Sequence, residues 1–232
     1  MVLIPLFDWL ALMGFFLLWI GYHFFSNYWA QSHISLLGQS NRLRKQWMLR
    51  ITEHEMRVGD AALINSLTSS PTFFASTTII IIGGLFALLG TSDRVVEVVS
   101  ELPFSRKASG VLWDMKIILL IAVFVYAFFR FTWSLRQYNF CAVMIGAAPS
   151  PNDFDKPDAM HQRDDFVKMS GALIGFAAQS YNDGLRSYYF AIAASGWFLS
   201  PVVLLGATVV VVGILYYREF HSKTLQVIFA QS

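Results

Sequence analysis

The chain has 232 residues, 56% hydrophobic and 14% charged, with a formal net charge of +2. A soluble domain carries about 25% charged residues, so an ordinary water-exposed fold is excluded, as are intrinsic disorder and a collagen-like fibre. Cys141 is the only cysteine, which rules out a disulfide framework, and so small a net charge gives nucleic acid no footing.

Charged residues are absent from 9–41, 61–92 and 187–217, and a shorter charge-free run separates Lys116 from Arg130. A membrane helix needs about 20 mainly apolar residues, because a rise of ~1.5 Å each must cover ~30 Å of hydrocarbon. The sequence therefore predicts an all-α polytopic membrane protein, a single membrane domain with long helical cytoplasmic extensions. Its four transmembrane helices are expected near 6–27, 71–91, 113–133 and 189–216. The third requires Lys116 and Arg130 to extend their charges toward its two ends. Aromatic pairs mark the boundaries: Trp9 and Tyr28 for the first span, Trp113 and Trp133 for the third. The first span carries Asp8, lacks a basic flank and has no small-residue cleavage site, so it is expected to stay attached. Pro201 is expected to kink the fourth span.

The first connection, 34–66, reads as one long amphipathic helix. Leu43, Trp47, Ile51, His54, Val58 and Ala61 share a stripe, while Arg50, Glu53, Arg57 and Asp60 line the neighbouring face. Arg42, Arg44 and Lys45 beside Trp47 are placed to contact anionic headgroups or a partner, although topological anchoring explains the bases equally well. The second connection, with Arg94, Arg106 and Lys107, is short and expected to be an irregular or partly helical cap. The third cytoplasmic segment, 134–186, breaks at Ala148-Pro149-Ser150-Pro151, resumes near Asp164 and runs on into the fourth span. Its Gly171, Gly175 and Ala178 form a small-residue face for a close neighbour.

Ten basic residues lie in the two long connections, against five in the second connection and the tail. The positive-inside rule then places both long connections in the cytoplasm and both termini outside, in the plasma (inner) membrane. No nucleophile, metal or nucleotide motif is present, so no catalytic residue, metal or cofactor is expected. Glu53-His54-Glu55 points in three directions around a helix, and the Asn152–Asp158 stretch lacks the ligands of a calcium loop.

Two polar faces remain. Arg130, Ser134, Gln137 and Cys141 fall together on the third span's helix, and Gln179, Asn182, Asp183 and Arg186 share a face ahead of the fourth. One reading gathers Arg130, Gln137, Asn182 and Arg186 around a small anion or polar solute. Asp183, Arg136 and Asn139 are then supporting candidates, though Arg136 and Asn139 point elsewhere on the helix. The other reading is a helix-to-helix network in which Asp183 neutralises an arginine.

Three blocks stand out in combination: Phe74-Ala75-Ser76-Thr77-Thr78, Phe131 to Phe140 (FTWSLRQYNF) and Asn182 to Phe190 (NDGLRSYYF). They resemble the landmark blocks of a domain-of-unknown-function family of bacterial and plant membrane proteins, family 599, over roughly 3–225. The resemblance implies a multi-pass membrane protein without an established activity, and it transfers no catalytic role. It places Arg136, Asn139, Asn182 and Arg186 inside the blocks. The function expected on these grounds is a channel or transporter for an ion or small polar solute, built as a homo-oligomer in the lipid bilayer. The alternative is a scaffold or accessory subunit that recruits a partner through its cytoplasmic helices; a membrane enzyme acting on lipid has the least support.

Overall fold

The computed structural model of the protein describes residues 5–32, 35–89, 110–153 and 159–230. The second connection and the stretch through Lys156 lie largely outside these residues. The regular elements are all helical: α1 (Leu6–Ser32), α2 (Leu36–Ile51), α3 (Val58–Leu88), α4 (Gly110–Gly146), α5 (Ala159–Ser195), α6 (Pro201–Phe220) and α7 (Lys223–Ala230). Short 3-10 turns occur at Pro151–Asp153 and Gly196–Phe198. The all-α class is as expected, and four segments are long and apolar enough to cross a membrane: Leu6–Ser26, Val58–Leu88, Gly110–Gly146 and Pro201–Ile228.

The helices distribute over two compact units. The first comprises Met1–Trp29, Ser76–Phe128 and Gly184–Arg218; the second comprises Ala30–Ala75, Phe129–Asp183 and Glu219–Ser232.

In the first unit, aromatic residues interlock on a core of Phe15, Val123, Phe190, Trp197 and Leu204. Phe15 meets Phe190 edge-on at 6.1 Å, and Trp19 stacks on Phe190 at 5.7 Å. Contacts along α1 set the helix directions. Asp8 bonds Trp197 just beyond α5, whereas Ser26 bonds Arg186 earlier on α5, so α5 runs antiparallel to α1. Gly14 lies against Leu205 and Phe25 against Tyr216, so α6 runs parallel to α1. The chain therefore reverses between α5 and α6.

This reversal corrects the expectation of one kinked helix over 189–216. Pro201 has no N–H to continue a preceding helix, but its fixed φ suits the first position of a new one. The Ser200 hydroxyl accepts the Val203 N–H at 3.1 Å, which caps α6. Pro201 is thus a helix start rather than a kink. The part of α5 in this unit is an inner helix, with Ser187, Phe190 and Ala193 fully buried.

The second unit begins with another correction. The single helix expected across the first connection is two: α2 ends at Ile51, and α3 starts at Val58 and continues to Leu88. Thr52 turns its hydroxyl back to the Leu49 carbonyl at 2.6 Å and receives the Arg163 Nε–H at 2.8 Å, which closes α2. The expected stripe loses its register there, and Leu43 and Val58 stay exposed. The core instead gathers Met48, Ile51, Ile64, Tyr138, Cys141, Ile145 and Ile174.

The small-residue face of α5 receives α2. A Cβ on Gly175 would stand 3.2 Å from Asn41 Oδ1, and one on Gly171 would stand 3.4 Å from Lys45 Cα. Both long connections meet in this unit, where Arg57 donates to the carbonyls of Ala148 and Pro149 at 2.5 Å each. So does the tail: the Leu37 N–H, in the first turn of α2, donates to Glu219 Oε1 at 3.0 Å, and α7 packs on α2. The carboxylate satisfies a donor that the start of a helix leaves open.

Gly175→Leu should therefore lower the stability of the detergent-solubilised protein by about 2 kcal/mol through overpacking against α2. Gly84→Ala, at a position with open space around its Cβ, should be neutral or stabilising by up to about 1 kcal/mol. Thermal unfolding of the two variants beside the parent measures both.

Candidate functional site

In the second unit the polar side chains of α4 and α5 pair helix to helix. Arg130 Nη2 donates to Asp183 Oδ2 in a charge-assisted bond. The Asp183 side chain is 1% exposed and that of Arg130 28%, while the Arg130 Nε–H is buried with no acceptor among the described residues. One turn along α4, the Ser134 hydroxyl donates to the Ala177 carbonyl at 2.7 Å. Gln137 bonds Ser180 at 2.8 Å; with its amide turned to suit its neighbours, its N–H groups serve Ser180 and Phe176 and its oxygen accepts the Trp133 indole N–H. Phe74 stacks on Phe131 at 5.4 Å, and Tyr181 tilts against both rings.

The other candidates in this unit lie apart from that ladder. Asn182 is half-buried and Asn139 exposed. Arg136 lies over its own helix neighbour Phe140 at 5.8 Å. Arg44 bonds Asn41 at 2.8 Å; burial lowers its guanidinium from the ordinary arginine value, and Tyr138 opposes that shift. The Trp47 indole N–H goes to Asp60 at 2.7 Å, and Asp60 also holds His54 at 2.9 Å. Of the four residues singled out for lipid or partner contact, Arg42 and Lys45 are the exposed ones.

In the first unit Arg186 is 8% exposed. Its Nη1 donates to Ser26 Oγ at 2.8 Å, and its guanidinium lies 5.6 Å from the Tyr22 ring. Thr78 bonds the Tyr188 hydroxyl at 2.8 Å. Sequence reasoning thus found the charged residues but missed the hydroxyls of Ser26 and Ser180 as their partners. A lone serine inside an apolar run carries no signal that it answers an arginine on another helix. Among the described residues no three metal-ligating side chains converge.

The structure therefore joins Arg130 with Asp183 and Gln137 with Ser180, and it satisfies Arg186 from α1. A family model described as "Protein of unknown function, DUF599" matches residues 10–224. The chain belongs to the DUF599 family. No curated protein and no solved structure matches it. The blocks through which this DUF599 chain resembled its family are sites of helix contact: Phe74 and Phe131 stack with Tyr181 beside them, and Thr78 bonds Tyr188.

Removing one member of a buried ion pair strands the other charge, at a cost of about 3–5 kcal/mol. Asp183→Leu leaves Arg130 partly solvated and should destabilise this DUF599 protein by about 1–3 kcal/mol, and Arg130→Leu with Asp183→Leu should recover more than half of the loss. A double-mutant cycle on unfolding in mild detergent tests this coupling; additive losses would dissolve the pair's energetic role.

Proposed function

We propose that this DUF599 chain is a membrane transporter for an ion or small polar solute, served by the buried polar side chains of α5. The observation that carries the reading is the placement of Arg186, 8% exposed, against Ser26 of α1, a helix apolar enough to cross a bilayer. Ionisable side chains at such depth are costly, face inward and mark solute or proton routes. These groups turn inward within one chain, so the reading needs no ring of copies; mass in mild detergent separates a route inside one chain from one shared between copies. An accessory role has its own support in α2, where Leu43 and Leu49 are exposed beside Arg42, Lys45 and Arg50.

We further infer that the termini lie on opposite sides of the plasma (inner) membrane, the N-terminus outside and the C-terminus in the cytoplasm. The contact between Glu219 and Leu37 supports a tail on the side of the first connection, and on this reading α5 makes a pass in addition to the four apolar helices. Counting Arg218 and Lys223 inside changes the basic balance from ten against five to twelve against three. That is a stronger positive-inside signal than two outer termini produce. A reporter fused after Ser232 should behave as cytoplasmic; periplasmic activity there would overturn the orientation.

The transport reading is tested in proteoliposomes carrying the full chain, with chloride, acetate, potassium and sodium as probes. Flux of at least one probe should exceed that of protein-free vesicles and fall about tenfold or more in Arg186→Gln at equal incorporation, the scale of about 1.4 kcal/mol. Flux equal to empty vesicles for every probe would overturn it.

A further inference from the structure

The N-terminal end of α1 adjoins a second set of buried polar groups, all in the first unit. Lys116 of α4 is 7% exposed, yet among the described residues it has no hydrogen-bond acceptor and no ion-pair partner within 4.0 Å. Its Nζ lies 5.8 Å from the ring centres of both Trp197 and Phe198. Trp113 stands one turn earlier on the same side of α4 and meets Phe198 edge-on at 4.8 Å. Its indole N–H is also buried without an acceptor. One buried donor without an acceptor and one positive charge therefore lie against the same phenyl ring.

Among the described residues, the counter-charge whose field reaches Lys116 does not fill the gap. Asp8 is 6% exposed and spends Oδ1 on the Trp197 indole N–H at 2.7 Å, at the edge of a ring whose centre lies 5.8 Å from Lys116. Its field reaches Lys116, but no hydrogen bond joins them. Asp114 is about 160° around α4 from Lys116, and the Gly196–Phe198 turn and α6 up to Tyr217 carry no charged side chain. Buried donors are almost always matched, so the Trp113 N–H, with the Lys116 ammonium against the same phenyl ring, calls for an acceptor.

We propose that Lys116 and Trp113 hold a small monovalent anion, a carboxylate group or a halide, beside Phe198. Lys116 supplies the charge and Trp113 a directed donor. Asp8 opposes the anion and limits its affinity, so the two ionisable residues act with opposite sign. Binding of this kind is an equilibrium property and does not depend on the transport reading; flux can fail while the site binds.

The test titrates the full chain, purified in mild detergent at fixed ionic strength, with acetate and with chloride by calorimetry. Saturable binding of either anion is expected, acetate alone identifying a carboxylate site and chloride alone a halide site. Lys116→Met should weaken it about tenfold or more, Lys116→Arg should retain it, and Trp113→Phe should weaken it about threefold to tenfold. Asp8→Asn keeps an acceptor for Trp197 and removes the opposing charge, so it should tighten binding about threefold or more. Absence of saturable binding by the parent protein overturns the proposal, and so does unchanged affinity in Lys116→Met. If that variant does not fold, Asp8→Asn decides alone: weaker or unchanged affinity overturns the site.

Discussion

A charged side chain inside a membrane helix must find its partners on neighbouring helices, because lipid offers none. In a chain with four helices long and apolar enough to cross a membrane, that constraint falls on every buried charge. Arg130 takes Asp183, Arg186 takes Ser26 and the Tyr22 ring, and Trp197 gives its N–H to Asp8. Each contact joins two elements that are remote in sequence, so each also determines which helices become neighbours. Apolar packing between helices is non-directional by comparison, and in lipid it lacks the drive that water supplies to a soluble core.

The same constraint explains why α5 can occupy an inner position in the first unit. A helix that faces lipid must be apolar all round, whereas an inner helix may carry hydroxyls and charges if its neighbours answer them. Ala191, Ala193 and Ala194 keep α5 slim where it passes Phe15 and Trp19, and Arg186 and Ser187 are buried without facing lipid. The reversal at Gly196–Ser200 then returns the chain as α6, whose Val202, Val209 and Val210 remain exposed in the manner of a lipid-facing helix.

Hydropathy made α1, α3 and α4 legible because long stretches of each are apolar, whether they stay largely exposed as in α1 and α3 or are covered in good part as in α4. It hid α5, since Asp183 and Arg186 interrupt the charge-free run that a window search needs. The run that did register, 187–217, joined the end of one helix to the whole of the next. Ser200-Pro201 is a helix-start signature as well as a kink signature, and only the reversal of direction distinguishes the two. The first connection failed in a similar way. Its 3.6-residue stripe continued on paper past Thr52, but Arg163, more than 100 residues away, holds that residue in a turn. For the polar site, helical spacing grouped Arg130 with Gln137 and Asp183 with Arg186; the structure gives Arg130 and Gln137 partners on α5, but gives Asp183 and Arg186 partners on different helices. Spacing within one helix does not reveal that Asp183 answers Arg130 while Arg186 is answered from α1, because that depends on tertiary neighbours.

A buried ion pair is an inefficient way to hold two helices together. Apolar side chains of similar volume often do as well or better, because the desolvation of two charges offsets much of their attraction. Between α4 and α5 that alternative was open, since Phe131 already meets the Tyr181 ring across them at 5.9 Å. The Arg130–Asp183 pair therefore adds little that packing could not, except a polar contact at a carboxyl side chain only 1% exposed. The Nε–H of Arg130 adds a buried donor left unmatched, a feature that stability alone disfavours. Both properties are poor choices for stability alone, and they single out the contact between α4 and α5 in the second unit.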